Sequence, residues 1–277
     1  MGLFLAACGN TTAPTPDAST CELAENTQET ATVNATGCHV LSRDTHDCEA
    51  ERTAQGLSGY WLKFSCRVTL SSVTVGGARL VRAQADGQPD YKSFYFATTN
   101  ACYEQYSGAT RNPNTLVAQN YVVDFPVTSS TTSQSMAGTA VVGLALNGVP
   151  VFGNFAAPGD DIYTEARTFD RCGAHPQNNG QYHYHSEPYA ISYDDSNFIG
   201  VMRDGYPIYG RKDADGSYPT LDTYGGHTGA TADSPDTPVY HYHVNEQTSH
   251  NAGTAGQQQW FLTTGTFRGT PAACSSC

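Results

Sequence analysis

Two eleven-residue segments of this chain, Gly143–Gly153 (GLALNGVPVFG) and Gly200–Gly210 (GVMRDGYPIYG), lie 57 residues apart. They agree at Gly, Asn/Asp-Gly, Pro, Val/Ile, Phe/Tyr and Gly. A repeat of this kind constrains the fold strongly, because each copy must make the same turn and offer the same strand to a neighbour. The Asn147-Gly148 and Asp204-Gly205 pairs favour positive φ and a tight turn. Pro150 and Pro207 are expected to keep the strands they open out of central ladder positions. The spacing predicts two half-domains packed about a pseudo-twofold axis.

The correspondence continues downstream. Thr168-Phe169-Asp170 with Gly173-Ala174-His175 answers Thr220-Leu221-Asp222 with Gly225-Gly226-His227, and each copy closes on Tyr-His-Tyr-His, at 182–185 and at 240–243. In a strand, alternate side chains share a face, so His183 and His185 point one way and Tyr182 and Tyr184 the other. Each copy therefore supplies three imidazoles: His175, His183 and His185 in the first, His227, His241 and His243 in the second. A strand pair plus one distant histidine suits a transition metal, and neutral imidazole without cysteine or methionine favours zinc or Cu(II) over Cu(I). Whether the six make one shared centre or two stays open at this point.

Asp170 and Asp222 precede the loop histidines by five residues. They are candidates to accept the outer N–H of a ligand imidazole, to cap Asx turns, or to ligate directly. Glu187 and Glu246 follow the histidine pairs and are weak candidates for a general base. Asp213, Asp215, Asp233 and Asp236 lie in loops of the second copy, where a structural calcium ion is conceivable, although the spacing is not that of an acidic calcium loop. The tyrosines read as scaffolding. The competing structural reading is a half-buried sheet face whose histidines are satisfied by hydrogen bonds.

The stretch Gly173–His185, GAHPQNNGQYHYH, has the Gly-x-His-Pro, turn and Tyr-His-Tyr-His pattern for which the bacterial YHYH-domain family is named. With DGYPIYG and the second histidine unit, the resemblance covers roughly Gly143 to Phe267. It implies an exported, metal-binding domain and carries over no reaction.

Leu5-Ala6-Ala7-Cys8 has the form of a bacterial lipobox, so residues 1–8 are read as a truncated lipoprotein signal with Cys8 as the lipidated residue. Residues 9–37, rich in Thr, Ala, Asn and Pro, read as a flexible tether. Eight cysteines remain in a chain expected to be exported: Cys21, Cys38, Cys48, Cys66, Cys102, Cys172, Cys274 and Cys277. They imply up to four disulfides of unreadable connectivity. A net charge of -12 with only Lys63, Lys92 and Lys212 as lysines leaves no basic patch for nucleic acid. No nucleotide-binding loop is present.

Runs rich in β-branched and aromatic residues at Tyr60–Leu70, Lys92–Thr98, Asn120–Pro126, Val141–Leu146, Phe198–Met202 and Gln259–Thr264 are separated by Gly, Asn, Asp and Pro. The expected fold is mainly β: antiparallel sheets with long loops, a disulfide-bonded N-terminal segment over 38–137, and an internally duplicated core over 138–277, with copies at about 143–185 and 200–243. The expected function is that of an exported, lipid-anchored protein at the bacterial cell envelope, periplasmic or extracellular, binding copper or zinc. Its partners would be the metal ion and, through the anchor alone, a membrane. A metalloenzyme using the same histidines and an adhesive β domain without metal are the alternatives.

Overall fold

The computed structural model describes residues 32–33, 38–40, 45–105, 110–157, 162–247 and 259–277. It is mainly β, and twelve strands carry the argument. β1 (Thr69–Val75), β2 (Ala78–Ala85) and β3 (Tyr121–Pro126) form an antiparallel sheet with β12 (Cys274–Ser276) in the order β12-β3-β2-β1. The larger sheet has eight strands: β4 (Val141–Ala145), β5 (Pro150–Phe152), β6 (Ala174–Pro176), β7 (Tyr182–Tyr184), β8 (Phe198–Met202), β9 (Pro207–Tyr209), β10 (Gly226–Thr231) and β11 (Ser234–His243). Their order is β10-β11-β9-β8-β4-β5-β7-β6.

That order reads the same outward from the central antiparallel pair β4–β8, where Leu144 faces Val201. On one side β5 pairs with β4 antiparallel and with β7 parallel, and β7 with β6 antiparallel. On the other side β9, β11 and β10 repeat those three relations. The sheet is therefore mixed rather than wholly antiparallel. β5 and β9 are interior strands, contrary to the expectation from Pro150 and Pro207. Each proline is the first residue of its strand, where a missing N–H costs little.

The first glycine of each eleven-residue segment has a packing reason at this central pair. A Cβ on Gly200 would lie 2.2 Å from the Leu144 carbonyl oxygen, and one on Gly143 would lie 2.9 Å from that of Val201. Backbone cannot step aside cheaply. Gly200→Ala is expected to destabilise the protein by about 1–3 kcal/mol, read from the urea midpoint; an unchanged midpoint would show that β4 and β8 separate freely.

Two predicted strands are not strands. Within Tyr60–Leu70, residues Gly59–Lys63 form a 3-10 helix and the strand begins only at Thr69. Buried Arg52 explains this: it donates to the carbonyls of Phe64, Ser65 and Val68 at 2.5, 2.9 and 2.8 Å, taking acceptors that a ladder would need. Lys92–Thr98 makes turns and one isolated bridge, Ser93 to Tyr103. One hydrophobic cluster, including Phe64, Tyr95, Phe125, Leu144, Tyr184 and Tyr242, runs across both sheets.

Disulfides join Cys38 to Cys172, Cys48 to Cys66 and Cys274 to Cys277, and Cys102 is disulfide-bonded as well. The Cys38–Cys172 bond ties the N-terminal segment to the turn that precedes His175. Cys8 and Cys21 lie outside the described residues, as does most of the predicted tether. Within it, Thr32–Val33 pairs antiparallel with His39–Val40. No helix of the described residues is long and apolar enough to cross a membrane.

Candidate metal centres

The six histidines form two separate clusters, one per copy. Strand register brings each together. β6 and β7 pair so that His175 stands directly opposite His183, and β10 and β11 place His227 directly opposite His241. His185 and His243 follow two residues on along the same face. The aromatic residue repeated before each closing glycine packs beside the first histidine of the pair: Phe152 stacks on His183 with ring centroids 3.9 Å apart, and Tyr209 meets His241 at 5.3 Å.

Backbone carbonyls and one hydroxyl select the tautomers. His183 Nδ1–H donates to Gln181 O at 2.9 Å and His185 Nδ1–H to Gly153 O at 2.5 Å. In the second cluster His241 and His243 donate in the same way to Val239 O at 3.0 Å and Gly210 O at 2.6 Å. Thr168 Oγ1 donates its own proton to Glu165 O, so at 2.7 Å it accepts the Nδ1–H of His175. With Nδ1 protonated, each of these imidazoles presents an unprotonated Nε2.

Those Nε2 atoms converge. His183 and His185 bring theirs within 2.9 Å of each other, and the Nε2 of buried His175 has no hydrogen-bond partner. His227 Nε2 lies 3.2 Å from His241 Nε2 and 3.3 Å from His243 Nε2. Asp213 joins this second cluster, its Oδ1 standing 2.9, 3.5 and 3.3 Å from the Nε2 atoms of His227, His241 and His243. Four ligand atoms about 2.0–2.1 Å from a tetrahedral ion are about 3.3 Å from one another, so these separations match such a site.

Burial keeps five of the imidazoles neutral. It pushes His175 and His183 well below the ordinary histidine range and His185 down to about 4, with His185 adding repulsion on the first two. His243 is also held down to about 4, by burial first, and His241 is lowered for the same reason. In the metal-free protein this has a definite sign. Folded values below 6.5 contribute stability that is present above pH 6.5 and lost as pH falls toward 4. Asp170, raised by burial to about 6, and Glu187 and Asp204, also raised by burial, work the other way over part of that range, but they are three groups against five. Metal-free protein is expected to lose several kcal/mol between pH 7 and pH 4.5 in denaturant titrations. A flat profile would show that these histidines are charged or exposed.

Asp170 and Asp222 bond none of the six imidazoles. Asp170 Oδ1 accepts the amides of Cys172 and Ala174 at 2.9 and 3.3 Å, and its Oδ2 accepts the hydroxyls of Ser93 and Tyr182. Asp222 accepts the amides of Tyr224 and Gly226 and the Tyr240 hydroxyl. They cap turns and hold the first tyrosine of each motif. The second tyrosine bonds the turn residue of the eleven-residue segment: Asn147 donates to Tyr184 OH at 3.1 Å, and Tyr242 OH donates to Asp204 at 2.5 Å.

Glu187 is no general base. It is fully buried, Arg211 grips its Oε2 at 2.5 and 2.7 Å, and Oε1 accepts from Ser192 and the Asp194 amide. Glu246 stands on a short strand opposite Trp260, and its side chain lies outside what is described. The calcium candidates do not converge: Asp215 bonds Ser217, Asp233 pairs with Lys63 and Tyr209, Asp236 is exposed, and Asp213 belongs to the histidines.

A carboxylate without a sequence signal stands beside the first cluster. Glu165 ends the short helix Ile162–Glu165 and places Oε1 3.4 Å from His175 Nε2. It lines a cleft of 470 Å³ that His183 and His185 also reach, walled by Met136, Phe152 and Phe155.

The family of YHYH proteins matches residues 120–220. The chain contains a YHYH-protein domain. The match takes in β3, both eleven-residue segments and the first histidine cluster, and it ends before His227. The YHYH domain as matched thus begins earlier and stops sooner than the span from Gly143 to Phe267 suggested by the motifs. No curated protein and no solved structure gives a significant match to the chain.

Proposed function

We propose that this YHYH-domain protein binds two divalent transition-metal ions, one per histidine cluster. One observation carries the reading: buried imidazoles whose Nδ1–H groups are committed to carbonyls and a hydroxyl turn unprotonated Nε2 atoms toward one another. Lone pairs 2.9 Å apart, as on His183 and His185, repel unless a cation lies between them. A purely hydrogen-bonded histidine network would instead alternate donors and acceptors. In the second site His227, His241, His243 and Asp213 would hold the ion, and their tetrahedral spacing favours zinc over the tetragonal geometry of Cu(II). In the first site His175, His183 and His185 would hold it, with copper or zinc both admissible to three imidazoles.

Export fits the disulfides Cys38–Cys172, Cys48–Cys66 and Cys274–Cys277, which form and persist in oxidising compartments. Anchorage through an acylated Cys8 completes the proposal. A metal-dependent reaction at the first site is the second reading, favoured by the cleft that His183 and His185 share with Glu165.

Elemental analysis tests the main reading. Purified protein is expected to carry two metal equivalents and the double variant His183→Ala, His185→Ala one. Equal metal content in the two proteins would remove the first site from the proposal.

A further inference from the structure

The two clusters differ at one position. Gly153 and Gly210 are equivalent, each accepting the Nδ1–H of the last histidine of its motif. Three residues after Gly210 comes Asp213, whose carboxylate completes the second cluster; three residues after Gly153 comes Ala156, which has no ligand atom to offer. Ala156 lines the 470 Å³ cleft with Phe155, Glu165, His183 and His185. The recess beside His241 and His243, bounded by Lys212, Asp213 and Ala230, has no room for a water molecule. Among the described residues the first copy thus combines three histidines with no fourth ligand atom in their cluster, a substantial cleft where that ligand would sit, and a buried His175 Nε2 that makes no hydrogen bond.

We propose that the first metal site keeps an open coordination position and takes a neutral protic ligand from solution, an N–H or O–H donor on an apolar body. The second site is closed by Asp213 and serves the fold. This rests on the metal-binding reading above. The ligand's lone pair would go to the ion while its N–H or O–H donates to Glu165, the one carboxylate lining this cleft among the described residues. Met136, Phe152 and Phe155 supply the apolar wall for the rest of the molecule. An anionic ligand would meet the Glu165 carboxylate at close range, which disfavours it.

Cobalt(II) loaded into the full chain reports coordination through its visible absorption, and imidazole and 4-phenylimidazole, kept above their own pKa values, are suitable probes. Only about half of the cobalt signal is expected to respond. 4-Phenylimidazole should half-saturate at roughly tenfold lower concentration, because its ring is buried against the apolar wall. Ala156→Asp should abolish the response while leaving the cobalt stoichiometry at the wild-type value. Asp213→Ala should extend the response to the second site. Glu165→Ala should weaken probe binding about tenfold, the worth of one hydrogen bond to a charged acceptor. The proposal is overturned if both cobalt ions load and neither probe changes the spectrum, or if Ala156→Asp leaves the response intact. It is equally overturned if Glu165→Ala tightens binding, for then Glu165 itself closes the position. Failure of the protein to retain cobalt at all would instead defeat the metal-binding reading.

Discussion

Chelation is expected to lower the melting temperature of the metal-loaded protein by roughly 20 °C. A ligand held at a thousand times its Kd stabilises the folded state by about 4 kcal/mol, so two sites contribute about 8 kcal/mol. Each kcal/mol moves the midpoint of a chain of this size by about 2–4 °C. Removing the ions also leaves the unprotonated nitrogens of His183 and His185 facing one another at 2.9 Å inside the protein, and leaves the Asp213 carboxylate among the Nε2 atoms of the second cluster. Calorimetry with and without chelator, under non-reducing conditions that spare the disulfides, measures the difference. The second site should account for the larger share, since a fourth protein ligand makes its ion harder to extract. Superimposable melting curves would mean that the clusters hold no ion and that hydrogen bonding alone maintains them.

Arg211→Ala should cost about 3–5 kcal/mol, because it strands a buried charge. Glu187 is fully buried two residues after the first motif, and Arg211 stands immediately after Gly210 in the second copy. Their ion pair, at 2.5 and 2.7 Å, links the copies beneath the Trp260 ring, which the Arg211 guanidinium covers at 4.0 Å. Burial already pushes the Glu187 carboxyl up, and Arg211 is what opposes that push. Without the guanidinium the carboxylate must take a proton or remain unpaired, so the deficit should shrink as pH falls. A double variant, Glu187→Met with Arg211→Met, should recover most of the loss, since an apolar pair of similar volume carries no desolvation cost. Denaturant titration reads all three proteins. A loss below about 1 kcal/mol in Arg211→Ala would show the pair to be solvated, as surface ion pairs are.

Much of the candidate site was legible from local pattern. Period-two alternation placed His183 with His185 and His241 with His243, and the Asp to Gly-x-His spacing marked the turns that present His175 and His227. The turn-capping alternative for Asp170 and Asp222 proved correct, while their assignment to the imidazoles did not. A carboxylate five residues before a histidine is equally placed to cap its own turn or to reach a ring, and only the strand register decides which. The strand expected over Tyr60–Leu70 failed for a similar reason: its composition suits a strand, but Arg52, from an earlier helix, takes its carbonyls.

What the amino-acid sequence determined by itself is the set of histidines in each cluster, because alternation along a strand and equal spacing in two copies are local properties of the chain. Tertiary structure alone decided that the six histidines form two clusters rather than one. The central β4–β8 pair sets the two halves side by side, with each histidine cluster remaining on its own outer hairpin. It also decided that Asp213 completes one cluster, that Ala156 leaves the other facing a cleft with Glu165, and that Glu187 is spent on Arg211. Each of these depends on loops approaching one another across the sheet. Such meetings are governed by long-range packing and electrostatics, which no local periodicity encodes.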